Sequence, residues 1–219
     1  MTRFADRADA GRRLAAKLAP LAGTDVVVLA LPRGGVAVGF EIAQALNAPL
    51  DLVLVRKIGA PGMPELAVAA LVDAGGEVMR VVDEGVAGGV GLQPAYLDRE
   101  AAREERELAR RRAVYGGAGA PVPLFGRTAI VVDDGIATGT TMRAALLAIR
   151  RRDPARLILA VPVAPAAAID ALRSEVDEIV ALETPEDFFA IGQFYGDFHQ
   201  MSDGEVLALL ERATRPTRY

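Results

Sequence analysis

The residues best suited to chemistry in this chain are two adjacent carboxylates, Asp133 and Asp134, and the small-residue turn that follows them. A turn at the start of a helix offers free backbone N–H groups and hydroxyls to an anion, whereas carboxylates accept hydrogen bonds from sugar hydroxyls. The segment therefore predicts a site for a molecule with a phosphate at one end and hydroxyls at the other. The predicted turn residues are Gly135, Ile136, Ala137, Thr138, Gly139, Thr140 and Thr141.

Residues 131–141 resemble the phosphoribosyl-pyrophosphate signature of the type I phosphoribosyltransferases, in which two acidic residues precede a small-residue turn that ends Thr-Gly-x-Thr. The resemblance implies transfer of a ribosyl 5-phosphate from phosphoribosyl pyrophosphate to a nucleobase-like nitrogenous acceptor, with Mg²⁺ as cofactor and release of pyrophosphate. It also implies that residues 138–141 hold the 5-phosphate and that Asp133 contacts the metal. Asp133 and Asp134 would hold the ribose diol and act in catalysis by supporting the developing sugar cation. The structural alternative is an ordinary strand-turn-helix corner, although two adjacent acids after a hydrophobic strand are a costly choice for such a corner.

One position departs from a branch of that family. In its hypoxanthine-guanine enzymes a third aspartate stands immediately before the Thr-Gly, placed to exchange a proton with the purine ring, and this chain has Ala137 there. We therefore expect an acceptor other than a 6-oxopurine, one that needs no strong base from the turn.

A second candidate anion site follows the first predicted strand, at Pro32, Arg33, Gly34 and Gly35. Glycines let the backbone approach an anion closely, an arginine offers a bidentate fork, and the next helix adds the positive end of its dipole. In the resembled family the corresponding loop holds the pyrophosphate, which implies a catalytic role for Arg33 and a binding role for its neighbours. The alternative is an ordinary glycine-rich turn.

Two cations, Arg56 and Lys57, come near the end of the second predicted strand, before a Gly- and Pro-rich stretch at 59–65 that we expect to be mobile. Successive strand residues face opposite sides of a sheet. We interpret Lys57 as a catalytic cation that stabilises charge on the departing pyrophosphate, and Arg56 as its structural neighbour on the other face.

Aromatic residues concentrate after the last predicted strand, in residues 188–198. Such a segment could form a hood over a flat acceptor ring, with Phe194 and Tyr195 as the acceptor-binding residues. The alternative is a satellite hydrophobic cluster, which is the commoner role for gathered aromatics.

The composition argues against several classes of function. The 219 residues include no cysteine and one histidine, His199, and the serines are Ser174 and Ser202. These numbers disfavour disulfide frameworks, thiolate or Ser-His-Asp catalysis and histidine-rich metal sites. The net charge of −4 argues against a nucleic acid partner. With neither a signal peptide nor a membrane-spanning run in the sequence, we expect a cytoplasmic protein that does not bind a membrane.

Strand-like and helix-like patterns alternate along the chain. Near-continuous apolar strands are typical of a parallel sheet covered on both faces, so we predict a single α/β domain with a doubly wound, mainly parallel sheet. A helical insertion at 85–123 and a small hood with a C-terminal helix at 183–219 complete it. The charged segment 94–115 predicts a solvated helix, which could be a lid, a homodimer arm or a plain exposed insertion. The predicted strands are 25–31, 50–55, 67–72, 77–82, 128–132, 156–163 and 176–182.

A second function remains open at this point. A module of the same fold could sense phosphoribosyl pyrophosphate or a nucleotide without transferring anything, because a fold does not by itself determine an activity. Lys57 and its Gly/Pro stretch favour the enzyme.

Overall fold

A computed structural model of the chain describes residues 4–115 and 122–214. Its strands are β1 (Val26–Ala30), β2 (Leu50–Ala60), β3 (Met63–Ala74), β4 (Glu77–Val82), β5 (Thr128–Val132), β6 (Arg156–Val163) and β7 (Glu178–Glu183). They form one seven-stranded sheet in the order β4-β3-β2-β1-β5-β6-β7. Strands β1, β2, β5, β6 and β7 pair in parallel, and β3 and β4 extend the sheet antiparallel from β2. The predicted mainly parallel α/β sheet is confirmed.

Helices cover both faces of this sheet. They are α1 (Arg7–Leu18), α2 (Gly34–Leu46), α3 (Glu84–Gly89), α4 (Pro94–Val114), α5 (Thr140–Arg150), α6 (Ala166–Leu172) and α7 (Asp203–Thr214). Alternate residues of the central strands enter different cores, as the two-residue period of a strand requires. Leu29 and Val131 pack with α5 and α6 on one face, whereas Val28 and Ile130 pack with α1 and α2 on the other. Within the described residues, no helix is both long enough and apolar enough to cross a lipid bilayer.

The second strand is longer than its sequence pattern predicts. It continues through Lys57 to Ala60 and pairs with β3, so that most of the stretch expected to be mobile is an antiparallel hairpin with its tip at Pro61 and Gly62. A Cβ on Gly59 would lie 2.4 Å from the carbonyl oxygen of Pro64, so the two strands approach too closely there for another residue. The pairing with β3 extends β2 beyond the end of its apolar run, which a single-strand pattern does not reveal.

The helix predicted at 94–115 forms as α4, with one face solvated and the other packed on β2 and β3. Helix α4 buries Leu97, Ala101 and Leu108 against the sheet. Its Arg112 bonds to Asp73, Nη2 to Oδ1, at 2.6 Å, and this aspartate is itself buried. The segment is therefore more than a plain exposed insertion, and its role as a lid or a homodimer arm stays a prediction. Residues 116–121 of the insertion predicted at 85–123 lie outside the described residues.

The segment after β7 folds back onto the start of the chain. The backbone N–H of Phe4 donates to the carbonyl of Phe194 at 2.8 Å, and the N–H of Gly196 donates to the carbonyl of Phe4 at 2.7 Å. The rings of Phe4 and Tyr195 lie 5.3 Å apart between centroids. These contacts bring the C-terminal segment beside the carboxyl ends of β5 and β6.

Candidate functional site

The two predicted anion loops lie side by side because β1 and β5 are neighbouring parallel strands. Parallel strands carry their ligands at the carboxyl edge, where both loops emerge. A Cβ on Gly34 would lie 1.8 Å from Asp134 Oδ2, and one on Gly35 would lie 2.9 Å from the Cα of Asp133. Both glycines are therefore required for the loop to rest against the two aspartates. The peptide bond between Pro32 and Arg33 is cis.

Asp134 does not present its carboxylate to the open edge of the sheet. The carboxylate is buried and accepts a hydrogen bond at 2.7 Å from Nε of Arg7, an arginine of α1 that is also buried. Burial raises the pKa of Asp134, and the Arg7 guanidinium opposes that rise. The backbone carbonyl of the same aspartate accepts a bond from the Tyr195 hydroxyl at 2.6 Å. Oδ2 of Asp134 is thus paired within the fold, and a role of this carboxylate toward the ribose diol stays a prediction.

Asp133 is partly buried, less completely than Asp134. Its Oδ1 accepts the backbone N–H of Asp134 at 2.8 Å. Loss of solvation raises the pKa of Asp133 well above its usual value, and the neighbouring carboxylate of Asp134 adds to the shift. A cation or a hydroxyl donor placed at this carboxylate would stabilise its charged form.

The turn between β5 and α5 has the geometry of an anion site. Gly139 precedes the helix with φ +80°, and no side chain caps the helix start among the described residues. The first N–H groups of α5 therefore lack a side-chain partner. Ala137, Thr138 and Thr140 are exposed, whereas Ile136 is buried and its N–H donates to the carbonyl of Val163 at 2.9 Å. Ile136 thus anchors the turn to the sheet and leaves the rest of it facing outward.

Lys57 lies in a different part of the molecule from Arg33. It lines a cavity of about 340 Å³ between the β2–β3–β4 hairpins and α5, together with Thr140 and Arg143. Arg56, one residue earlier, faces the opposite side of the sheet and pairs with Glu104 of α4 at 2.6 Å. The predicted alternation of these two cations is confirmed. Arg33 instead lines a smaller polar cavity beside α4 and α7.

Phe194 and Tyr195 are placed in a hydrophobic cluster. Each is 1% exposed, and they pack with Phe4, Ala10 and Val163. Neither ring offers a face to a ligand, so their predicted role in acceptor binding is corrected to a packing role. The exposed aromatic ring of this segment is Phe189, at 89%.

Two further site residues have weak signals in the sequence. Arg7 reaches Asp134 across 127 positions, a separation that no local pattern reveals. Arg143 stands one turn inside α5 after Thr140, and this spacing on the helix following the turn could have indicated it. In the structure Arg143 contacts Glu175 at 3.1 Å, and its Nη1 lies 4.0 Å from Asp83.

Comparison with known proteins bears on these observations. A family model described as the phosphoribosyl transferase domain matches residues 119–199, which contain the aspartates and the turn. Two Mycobacterium tuberculosis proteins, from strains H37Rv and CDC 1551, carry provisional names as phosphoribosyl transferases and are each 46% identical over 215 residues. The chain belongs to the phosphoribosyltransferase family. The matched region is 98% of this chain but 48% of each of those two proteins, so the chain spans about half their length.

A crystal structure of TT1426 from Thermus thermophilus extends the similarity to the whole described architecture. It has 44% sequence identity and a TM-score of 0.84, over 96% of this chain and 99% of that one. The similarity to TT1426 thus extends over nearly the whole of both chains.

The carboxyl edge of the sheet offers a carboxylate that could contribute to a Mg²⁺ site. Within the described residues, no group of three or more His, Asp or Glu side chains could hold a metal by itself. Asp133 offers one accessible carboxylate, and Mg²⁺ commonly binds through one or two carboxylates together with substrate phosphates and water. The donor set therefore fits a metal that arrives with a phosphorylated ligand.

We predict that Arg7→Met destabilises the protein by about 3–5 kcal/mol at pH 7, because a buried ion pair that loses one partner leaves an uncompensated charge. Without Arg7, the pKa of Asp134 rises further above its unfolded value, so the variant recovers relative stability as the pH falls toward 5. Urea unfolding at both pH values measures the effect.

Arg13→Met is the matched control, because Arg13 lies on the same helix and pairs with Asp9 at a more exposed position. Its loss should cost at most about 1 kcal/mol. Equal destabilisation in the two variants at both pH values would contradict the role given to Arg7.

Proposed function

We propose that this chain is an active phosphoribosyltransferase, which transfers the ribosyl 5-phosphate of phosphoribosyl pyrophosphate to a nitrogenous acceptor. The observation that carries the proposal is the juxtaposition at the carboxyl edge of the sheet. There the uncapped start of α5, the accessible carboxylate of Asp133 and the glycine loop at 32–35 lie around one another. The matched family supports the same assignment.

In the proposed complex each loop binds one part of the substrate. The backbone N–H groups and hydroxyls of residues 138–141 hold the 5-phosphate at the positive end of α5. Asp133 accepts hydrogen bonds from the ribose hydroxyls and contributes to a Mg²⁺ site, where the metal would neutralise charge on the pyrophosphate. The glycine loop and Arg33 bind the pyrophosphate.

The reaction is a substitution at C1 of the ribose. The bond from C1 to the pyrophosphate oxygen breaks, that oxygen takes the electron pair, and a nitrogen of the acceptor forms the new bond to C1. Positive charge develops on the sugar and negative charge on the leaving group, so the chain contributes mainly through fixed charges. Arg33 and Lys57 stabilise the pyrophosphate, and the carboxylate of Asp133 lies near the developing sugar cation.

Lys57 and Arg33 line separate cavities in this structure. In the proposed complex, motion of the β2–β3 hairpin toward the glycine loop would bring both side chains to one pyrophosphate. The close approach at Gly59, where the strand register also shifts, is the irregular point of that hairpin. Closing motions of this kind commonly complete an active site.

We expect phosphoribosyl pyrophosphate with Mg²⁺ to raise the stability of the protein by about 2.7 kcal/mol when the ligand is present at 100 times its dissociation constant. Thermal unfolding and calorimetry measure this binding, with inorganic phosphate at the same concentration as the control ligand. No shift and no heat at millimolar phosphoribosyl pyrophosphate would overturn the proposal. Binding with no turnover on any acceptor would instead identify a sensing module.

A screen of nitrogenous bases for pyrophosphate release tests the acceptor. We predict that hypoxanthine and guanine are poor acceptors, because Ala137 supplies no carboxylate to exchange a proton with a 6-oxopurine. A rate with either base equal to that of the best acceptor would show that the turn needs no acid at this position.

With a working acceptor, Lys57→Ala should lower kcat on the order of 10²-fold while changing substrate affinity far less, because its charge acts when pyrophosphate leaves. Lys17→Ala is the matched control, since Lys17 is an exposed lysine in the last turn of α1. An unchanged kcat in Lys57→Ala would show that Lys57 is a surface cation of the hairpin with no role in catalysis.

A further inference from the structure

A small polar cavity lies where the loop after β1 meets the end of α4 and the start of α7. Its volume is about 160 Å³, and it is lined by Arg33, Arg110, Arg111, Val114, Tyr115 and Asp203. Three arginines thus face one carboxylate across a confined space. This volume is below the roughly 300–1,000 Å³ typical of pockets for drug-sized molecules, so the cavity suits a compact anion.

The arginines retain donors for such an anion. The Arg33 guanidinium makes no hydrogen bond to any described residue, and its nearest carboxylate oxygen, Oδ1 of Asp203, lies 4.0 Å away. Arg111 donates to Glu107 through Nε at 3.1 Å, and its two terminal nitrogens have no acceptor within residues 4–115 and 122–214. Arg110 is held more firmly, with two bonds of 2.8 Å to the same glutamate.

The single carboxylate of the cavity already has a donor. The Tyr115 hydroxyl donates to Asp203 Oδ1 at 2.7 Å. Burial and the neighbouring Asp203 raise the pKa of Tyr115 to about 12, so this hydroxyl stays protonated at neutral pH. Asp203 stays an anion 4.0 Å from Arg33, and Glu107 pairs with Arg110 and Arg111. Two carboxylates thus offset part of the charge of the three arginines, and the cavity keeps a smaller excess of positive charge.

The cavity adjoins the candidate active site through Arg33. The next two residues of that loop, Gly34 and Gly35, rest directly on the aspartates after β5. A diphosphate bound against the glycine loop would thus lie within reach of guanidinium groups from α4. The buried side chains of α4 and the bonds from Arg112 to Asp73 fix this helix on the sheet, and with it the position of Arg110 and Arg111.

We propose that Arg110 and Arg111 of α4, together with Arg33, form a binding site for the diphosphate group of the substrate. The inference rests on the proposed function for the identity of the ligand, and it gives α4 a role in binding. Guanidinium groups pair with phosphate oxygens through short, charge-assisted hydrogen bonds, and their contribution falls as salt screens the charges.

The test compares Arg110→Gln/Arg111→Gln with Arg103→Gln by titration calorimetry, with inorganic pyrophosphate and ribose 5-phosphate as separate probes. Arg103 lies on the same helix and stands three residues after a glutamate, as Arg110 does, but it lies outside the cavity. The arginines of these pairs are 42–72% exposed, so their loss should leave folding intact, and Arg111→Gln alone provides a milder variant. We expect the double variant to bind pyrophosphate at least about tenfold more weakly, with ribose 5-phosphate binding and the control unchanged.

The outcomes separate this inference from the proposed function. Equal pyrophosphate affinity in the double variant and the wild type overturns the arginine site but leaves the proposed function intact if ribose 5-phosphate and phosphoribosyl pyrophosphate bind. A second outcome is that the wild type binds pyrophosphate but neither ribose 5-phosphate nor phosphoribosyl pyrophosphate, and the double variant loses pyrophosphate binding. This result supports the arginine site and overturns the proposed function. A wild-type protein that binds none of the three probes overturns both.

Discussion

The buried ion pair between Arg7 and Asp134 is the interaction on which the rest of this site depends. Besides the carboxylate, Arg7 reaches the backbone carbonyl of His199 at 2.8 Å, and its guanidinium lies 4.0 Å from the ring centroid of Phe198. One side chain thus joins α1, the turn after β5 and the C-terminal segment. A buried charge without a partner is strongly unfavourable, so these three parts of the chain have to assemble together.

The pair also determines which groups remain for a ligand. Because Asp134 is held by Arg7 and lies under Gly34, only Asp133 of the two acids reaches the accessible edge. The close contact at Gly34 requires a residue without a side chain, and it brings the loop after β1 down onto the motif after β5. The same set of contacts therefore builds the site and limits its chemistry to one carboxylate, two loops of backbone donors and the nearby cations.

The sheet distributes those cations by the alternation of its strands. On β2, Arg56 faces α4 and forms a structural pair with Glu104, whereas Lys57 faces α5 and an open cavity. The arginines of α4 follow a similar division: Arg112 is used by the buried Asp73, and Arg110 and Arg111 face the polar cavity near Arg33. In both cases neighbouring cations serve different purposes because the secondary structure directs them to different surroundings.

The sequence alone determined the sheet class, most of its strands, and the two loops that meet at its edge. These features depend on local properties: apolar strands of period two, glycines where the backbone turns, and small polar residues before a helix. Thr138 and Thr140 are exposed at a helix start, as their residue types favour. What only the tertiary structure decided depends on long-range pairing. Arg7 and Asp134 are 127 positions apart, and β3 extends β2 beyond its apolar run. Phe194 and Tyr195 are buried in a cluster that includes the N-terminal Phe4. Helix α4 is held on the sheet in part by the bond from Arg112 to Asp73. No local pattern encodes these partners, since the free energy of each contact comes from burial that exists only after the chain has folded.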